Sequence, residues 1–155
     1  MDDTLVALFL SAPKELAGDL RWSEYPNRTQ VGVAVVTSDA VAVGQTLAVV
    51  LAVRERRWAF KLKAGAHRAL EWNLIPEGEV RRHFNRCPRP PGFPVEDRSP
   101  IHEHVWIDGR KLSCPVEGLA LSSHREVFHA FCKRANIDPK DAYTQPTETQ
   151  LTLRR

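Results

Sequence analysis

Two histidines that are separated by one residue, His102 and His104, are the side chains of this sequence best suited to chemistry. They lie in the segment IHEHVWIDGRKLSC, residues 101–114, where two alternating runs flank an Asp-Gly pair at 108–109. Asp-Gly between such runs is the strongest short-range signal for a β-hairpin, because a type I′ turn needs positive φ at both central residues. The spacing therefore predicts that both imidazoles project from one strand of a hairpin.

The register of this hairpin decides which side chains share a face. A two-residue loop pairs Trp106 with Lys111 and His104 with Ser113. Alternation along the strands places these four side chains and His102 on one face, which we expect to meet solvent. The opposite, apolar face is formed by Val105, Ile107, Leu112 and Cys114. We therefore expect the apolar face to join the core and the histidine face to carry any function.

Two kinds of chemistry fit the histidine pair. A neutral imidazole is a good ligand for zinc or copper, so His102 and His104 could share a metal ion. Such a site needs at least a third ligand, and the available residues follow no recognised spacing: His83, Cys87, His67 and Glu103. The metal-free alternative is a phosphodiesterase or ribonuclease in which the two histidines transfer protons. In that alternative Lys111 stabilises the charge on the phosphate and Ser113 donates a hydrogen bond.

A binding function needs neither proton transfer nor metal ligation by the same residues. An exposed Trp106 could stack on a base, and cationic side chains could contact phosphates. The predicted nucleic-acid contacts are Lys61, Lys63, Arg81, Arg82, Trp106 and Lys111. The purely structural alternative is that the C-terminal helix covers Trp106 and its histidine neighbours.

The charge of the chain is unevenly distributed. The formal net charge is +3, yet residues 54–98 alone hold eleven Lys or Arg against six Asp or Glu. Such clustering attracts anionic partners. The leading hypothesis is a small binding module that engages RNA or an acidic protein surface. A third possibility is a protein-protein adaptor that offers its proline-rich loop, residues 88–94, as an extended ligand.

Several classes of protein are disfavoured. The three cysteines show no disulfide or four-thiolate spacing, which favours a reducing cytoplasm. No apolar run approaches the roughly 20 residues of a membrane span. Phosphate-loop, dinucleotide and Gly-x-Ser-x-Gly patterns are absent from the sequence, so no cofactor is predicted.

The elements that must position these residues follow from hydrophobic periodicity. The sequence predicts a single α+β domain over residues 1–137: an antiparallel sheet of about five or six strands packed by a C-terminal helix. That helix spans 123–135, and the N-terminal segment contributes short helical pieces at 4–10 and 14–20. The proline-rich stretch before residue 100 is expected to form an exposed loop. Residues 138–155 are expected to form a polar tail, with a late edge strand at 150–154 as one alternative to disorder.

Overall fold

A computed structural model describes residues 3–26, 29–39, 45–52, 56–65, 67–80, 82–85, 89–107, 109–120 and 124–144. Two helices lie in these ranges, α1 (Asp3–Ser11) and α2 (His124–Arg134), with one turn of 3-10 helix at Glu77–Glu79. The strands are β1 (Lys14–Leu16), β2 (Arg21–Glu24), β3 (Thr29–Thr37), β4 (Gln45–Ala52), β5 (Arg57–Ala64), β6 (His67–Leu74), β7 (His83–Phe84), β8 (Glu96–Asp97), β9 (Ile101–Ile107), β10 (Arg110–Pro115) and β11 (Ile137–Asp138). No helix among the described residues is long and apolar enough to cross a membrane.

Most of the strands form one large sheet. Its nine strands run in the order β10-β9-β6-β5-β4-β3-β1-β11, with β2 also paired to β3, and β7 pairs with β8 in a separate ribbon. The predicted late hairpin is confirmed in both position and register, because Lys111 pairs with Trp106 and Ser113 pairs with His104. Gly109 has a φ of 71°, as its place in the turn requires.

The predicted fold class is wrong. The described chain is mostly β, with 49% strand and 17% helix, and the large sheet is mixed. The parallel pair that makes it mixed joins β1 to β11, where Lys14 lies opposite Ile137. The segment 14–20, predicted to be helical, instead begins with β1, and β2 follows where the sequence predicted no element. Strands of two to four residues are too short to produce a periodic pattern, so the sequence underestimates the size of the sheet.

One face of the large sheet packs against α2, and we call it the helix face. Phe131 lies 5.8 Å from Phe60 and 5.5 Å from Trp72, measured between ring centroids, and Phe128 lies 6.3 Å from Phe60. All four rings are buried. Phe60 and Trp72 are direct partners across β5 and β6, so they project from the same face, and the helix supplies the surface that covers them. The predicted C-terminal helix is therefore present, although residue 123, where it was expected to begin, lies outside the described residues.

A buried carboxylate ties α2 to the hairpin. Glu103 accepts hydrogen bonds from Trp72 Nε1 at 2.7 Å and from Arg134 Nη2 at 2.8 Å. Glu103 therefore lies on the helix face, as the hairpin register predicted, and it points away from its neighbours His102 and His104. The charge is acceptable in this position because the carboxylate is both paired and hydrogen-bonded.

The opposite face of the large sheet is covered in part by residues 82–85 and 89–100, and we call these residues the covering segment. Residues 89–100 belong to the proline-rich stretch that was expected to form an exposed loop, and that expectation is wrong for the part that forms β8, which pairs with β7. The side chain of Asn85 accepts a hydrogen bond from Ser113 N at 2.8 Å and donates one to Ser113 O at 2.7 Å. Asn85 thus satisfies backbone groups on the free edge of β10, which would otherwise be open to pairing with another chain.

The first and last segments that the structure describes meet at the β1–β11 edge of the sheet. The first predicted helical piece is confirmed as α1, and Lys14 follows it as a buried residue whose ammonium donates to the carbonyls of Phe9, Leu10 and Ala12. Ala142 and Tyr143 belong to the core cluster. Residues 145–155, which include the predicted edge strand at 150–154, lie outside the described residues.

Candidate metal centre

The side chains of His102 and His104 are neighbours on one face of β9, as the sequence predicted. Only 1% of His102 and 3% of His104 is exposed. The helix α2 packs on the other face of the sheet, yet the histidines do not meet solvent, because the covering segment lies over them. The expectation of an open histidine face is therefore wrong at these two positions. Their burial changes the chemistry that they can perform.

The covering segment brings a third histidine to the pair. His83 is the first residue of β7 and is paired with Asp97 of β8. Its ring centroid lies 4.5 Å from that of His102 and 5.3 Å from that of His104, while the latter two are 4.8 Å apart. His83 is half-buried, so this side of the cluster is the one nearest solvent.

The three imidazoles offer converging nitrogen atoms. One ligand nitrogen from each histidine lies within 4.8 Å of those of the other two. The Nε2 atoms of His83, His102 and His104 are all buried without a hydrogen-bond partner. Buried polar atoms are nearly always satisfied, and three orphaned nitrogens in one place need a common explanation. A metal ion shared by the three rings would supply it.

Hydrogen bonds at Nδ1 of His102 and His104 determine whether Nε2 of each ring has a lone pair for a metal ion. His102 Nδ1 donates to the carbonyl of Ser99 at 3.2 Å, which leaves the lone pair on Nε2. Asn73 Nδ2 lies 3.1 Å from His104 Nδ1 and also donates to Glu71 Oε1 at 3.3 Å. Ligation through Nε2 of His104 requires Nδ1 to carry the proton, and the Asn73 amide must then turn its oxygen toward the ring. Such outer partners orient metal-binding histidines in general.

The surroundings keep all three rings neutral. Burial lowers the pKa of His83, of His102 and of His104, and that of His104 falls to about 3. The positive charge of Lys111 adds to the lowering at each ring, while the carboxylate of Asp97 opposes it. The neutral imidazole is the form that binds a metal ion.

The dimensions of the cluster fit a small cation after a modest closure. Zinc-nitrogen bonds are about 2.0–2.1 Å, so two nitrogens on a tetrahedral ion are about 3.4 Å apart. Separations of up to 4.8 Å must therefore shrink by as much as about 1.4 Å for tetrahedral binding. His102 and His104 are fixed by the sheet, whereas His83 lies on a two-residue strand and is partly exposed. The closure is thus expected to come mainly from His83.

Asp97 fastens the covering segment beside the cluster. Its carboxylate accepts hydrogen bonds from Ser113 Oγ at 2.6 Å and from Ser99 N at 2.8 Å. Burial alone would raise the pKa of Asp97, but these hydrogen bonds outweigh it and lower the pKa below its usual value. Asp97 therefore stays ionised and places a negative charge near the three imidazoles.

The predicted nucleic-acid residues separate into two groups. Lys61, Lys63, Trp106 and Lys111 all project from the sheet face that carries the histidines. Arg82 lies apart on the covering segment, where it forms an ion pair with Glu96 at 3.5 Å. Arg81 lies outside the described residues. The structure therefore brings four of the six predicted residues to one surface.

Two of the other candidates for a third ligand, Glu103 and His67, are not in the cluster. Glu103 projects from the helix face, His67 is exposed at the first residue of β6, and Cys87 lies outside the described residues. Sequence reasoning named His83 as one of four possibilities but missed Asn73, Asn85 and Asp97. The proline-rich composition around Asn85 and Asp97 gave no sign that this segment folds back on the sheet.

Comparison with other proteins gives no independent indication of function. The chain matches no protein-family model, no curated protein and no solved structure. The functional argument therefore depends on the chemistry of the described residues.

Proposed function

We propose that this protein binds a divalent transition-metal ion of the zinc class through His83, His102 and His104. Two observations carry the proposal: one ligand nitrogen of each histidine lies within 4.8 Å of those of the other two, and the Nε2 atom of each ring is buried without a hydrogen-bond partner. Imidazole suits zinc, copper, iron and nickel, and a set of three protein ligands is typical of centres that keep a fourth position for water or another ligand.

Burial favours a metal centre over the metal-free ribonuclease. A general acid or base works best when its pKa lies near the operating pH. The pKa of His104 is lowered to about 3 by burial and by Lys111, so this imidazole has almost no protonated form near neutrality. Neutral rings are poor proton donors but good ligands. The histidine pair is therefore better suited to hold an ion than to exchange protons.

The two cysteines among the described residues, Cys114 and Cys132, are not competing ligands. Both are free thiols, and we propose a cytoplasmic location, because thiols stay reduced there. Burial raises the pKa of Cys114 to about 11 and that of Cys132 to about 12. Both therefore stay protonated, whereas metal ligation requires the thiolate.

A zinc titration tests the proposal. The protein is stripped with EDTA, and zinc is then added in competition with a chromophoric chelator, with elemental analysis to count bound ions. We expect one zinc per chain. Single substitutions His83→Asn, His102→Asn and His104→Asn should each weaken binding more than roughly 100-fold, because loss of an outer partner alone costs 10–100-fold.

The matched control is His129→Asn, which removes an exposed histidine from α2 on the other side of the sheet. It should bind zinc as the unmodified protein does. Circular dichroism shows whether each variant keeps its strands. Zinc affinity that is absent in the unmodified protein, or that is the same in folded His83→Asn and His129→Asn, would overturn the proposal.

A further inference from the structure

We propose that the exposed continuation of the histidine face binds single-stranded nucleic acid, with Lys61, Lys63, Arg68 and Lys111 contacting phosphates and Trp106 stacking on a base. This proposal goes beyond the metal centre and does not depend on it. It is carried by the arrangement of these side chains in neighbouring rows of the sheet.

The strand register defines the rows. Ser113, His104, Glu71 and Lys61 are successive partners across β10, β9, β6 and β5. Two residues further along each strand of the late hairpin, Lys111 is paired with Trp106. The row that contains buried His104 therefore borders directly on a row that holds a cation and an indole.

An irregularity in the sheet adds one more cation to this surface. Leu62 is paired with Leu70, whereas the next residue, Lys63, is paired with Arg68, so Ala69 is an extra residue on β6. Such a bulge reverses the alternation of side chains beyond it. Ala69 turns into the core, and Arg68 joins Lys63 and Glu71 on the histidine face. Bulges often serve to redirect a side chain in this way.

Positive charge exceeds negative charge on this surface. Among the described residues of these rows, Glu71 is the one carboxylate. It forms ion pairs with Arg68 at 2.9 Å and with Lys61 at 3.9 Å. Partial desolvation by neighbouring groups lowers the pKa of Lys111, although the residue keeps contact with solvent, and the charges of Arg68 and Lys61 lower it further against the opposing charge of Glu71. The cations therefore repel one another in the absence of a ligand. An anionic polymer would relieve this repulsion.

The same side chains are accessible. Lys111 is exposed, the side chain of Arg68 is 46% exposed and that of Lys61 is 22% exposed. Trp106 is half-buried, and Lys111 Nζ lies 5.9 Å from its ring centroid. An indole beside cations is the combination by which proteins hold single strands, because bases stack while phosphates are neutralised. An acidic protein would use the cations but has no bases to stack on Trp106.

The test is a salt series with a fluorescent single-stranded RNA and a single-stranded DNA of the same sequence. Each phosphate contact on a single strand contributes about −0.7 to the slope of log affinity against log salt, so four contacts predict a slope near −3. Lys111→Gln should reduce the slope by about 0.7. Lys133→Gln removes an exposed charge from α2 and is the matched control. Trp106→Ala should weaken binding roughly 5- to 150-fold.

Failure of this proposal can be distinguished from failure of the metal centre. All measurements are made on EDTA-treated protein and on the His83→Asn variant, where RNA binding should persist even though zinc binding is lost. The proposal is overturned by three results: no RNA binding at about 50 mM salt, where electrostatic affinity is high; equal slopes for folded Lys111→Gln and Lys133→Gln; or polyglutamate that competes as well as RNA.

Discussion

Replacement of Asn85 by alanine should separate the covering segment from the sheet and weaken the metal centre at the same time. The Asn85 side chain makes three hydrogen bonds of 2.7–2.8 Å, two with the backbone of Ser113 and one with the carbonyl of Pro94. At about 0.5–1.5 kcal/mol net for each, Asn85→Ala should lower the free energy of unfolding by roughly 1.5–4.5 kcal/mol. His83 begins β7, and Asn85 directly follows that strand. Without the hydrogen bonds of Asn85, His83 should therefore lose its fixed position.

The consequence for zinc follows from linkage between binding and folding. Zinc at 100 times its dissociation constant stabilises a protein by about 2.7 kcal/mol, and a 100-fold loss of affinity at that same concentration leaves about 0.4 kcal/mol. Urea unfolding of Asn85→Ala with and without zinc should therefore show a much smaller zinc-dependent increment than the unmodified protein shows. His83→Asn is the comparison variant, because it removes a ligand and leaves the hydrogen bonds of Asn85 intact. It should lose the zinc increment with little loss of stability in EDTA.

The outcome that refutes this reasoning is specific. If Asn85→Ala loses stability in EDTA but keeps the zinc affinity of the unmodified protein, then Asn85 does not position His83. If it keeps its stability as well, the hydrogen bonds to Ser113 do not hold the covering segment on the sheet.

Three further substitutions test the packing of the rest of the fold by urea unfolding. Gly32→Ala should destabilise the protein by about 1–3 kcal/mol, because the new Cβ would lie 2.8 Å from Cε2 of Trp22; an unchanged midpoint would show that the indole moves freely. Glu103→Gln should cost about 1–3 kcal/mol, since Arg134 loses its carboxylate partner, and a neutral result would contradict this role. Burial lowers the pKa of Lys14 to about 8, so between pH 8 and 10.5 the unfolded chain binds more protons and the stability of the folded protein rises with pH. Relative to Lys14→Met, the unmodified protein should therefore gain up to about 1.4 kcal/mol per pH unit in this window, and a flat difference would refute the assignment.

The late hairpin shows what local sequence can predict. Its register was predictable because the Asp-Gly turn and the alternation on both strands agree, and a shift by one residue would expose the apolar side. The C-terminal helix was also predictable, at 123–135, and the structure has it at His124–Arg134. These elements are long enough for their periodicity to be read without knowledge of the rest of the chain.

The covering segment and the edge of the sheet show where local sequence fails. β1 and β11 have three and two residues, and their pairing joins segments more than a hundred residues apart. The burial of His102 depends on the fold-back of the covering segment, which in turn depends on the amide of Asn85. No pattern near Asn85 distinguishes it from an asparagine in a solvated loop. Tertiary hydrogen bonds of this kind decide exposure, and they are invisible to periodicity.

The two proposed sites differ because the covering segment lies over one part of this sheet face and leaves the next part open to solvent. His102, His104 and Trp106 lie at alternate positions of one strand, so all three side chains project from the same face of the sheet. His83 and Asp97 lie over the first two and remove them from water, which favours neutral rings and metal ligation. Trp106 remains half-exposed beside Lys111, where charge and an aromatic surface favour an anionic polymer. Release of the covering segment should therefore convert the buried rows into exposed ones, with His102 and His104 recovering ordinary pKa values and the metal centre lost, while the salt-dependent binding of RNA is retained.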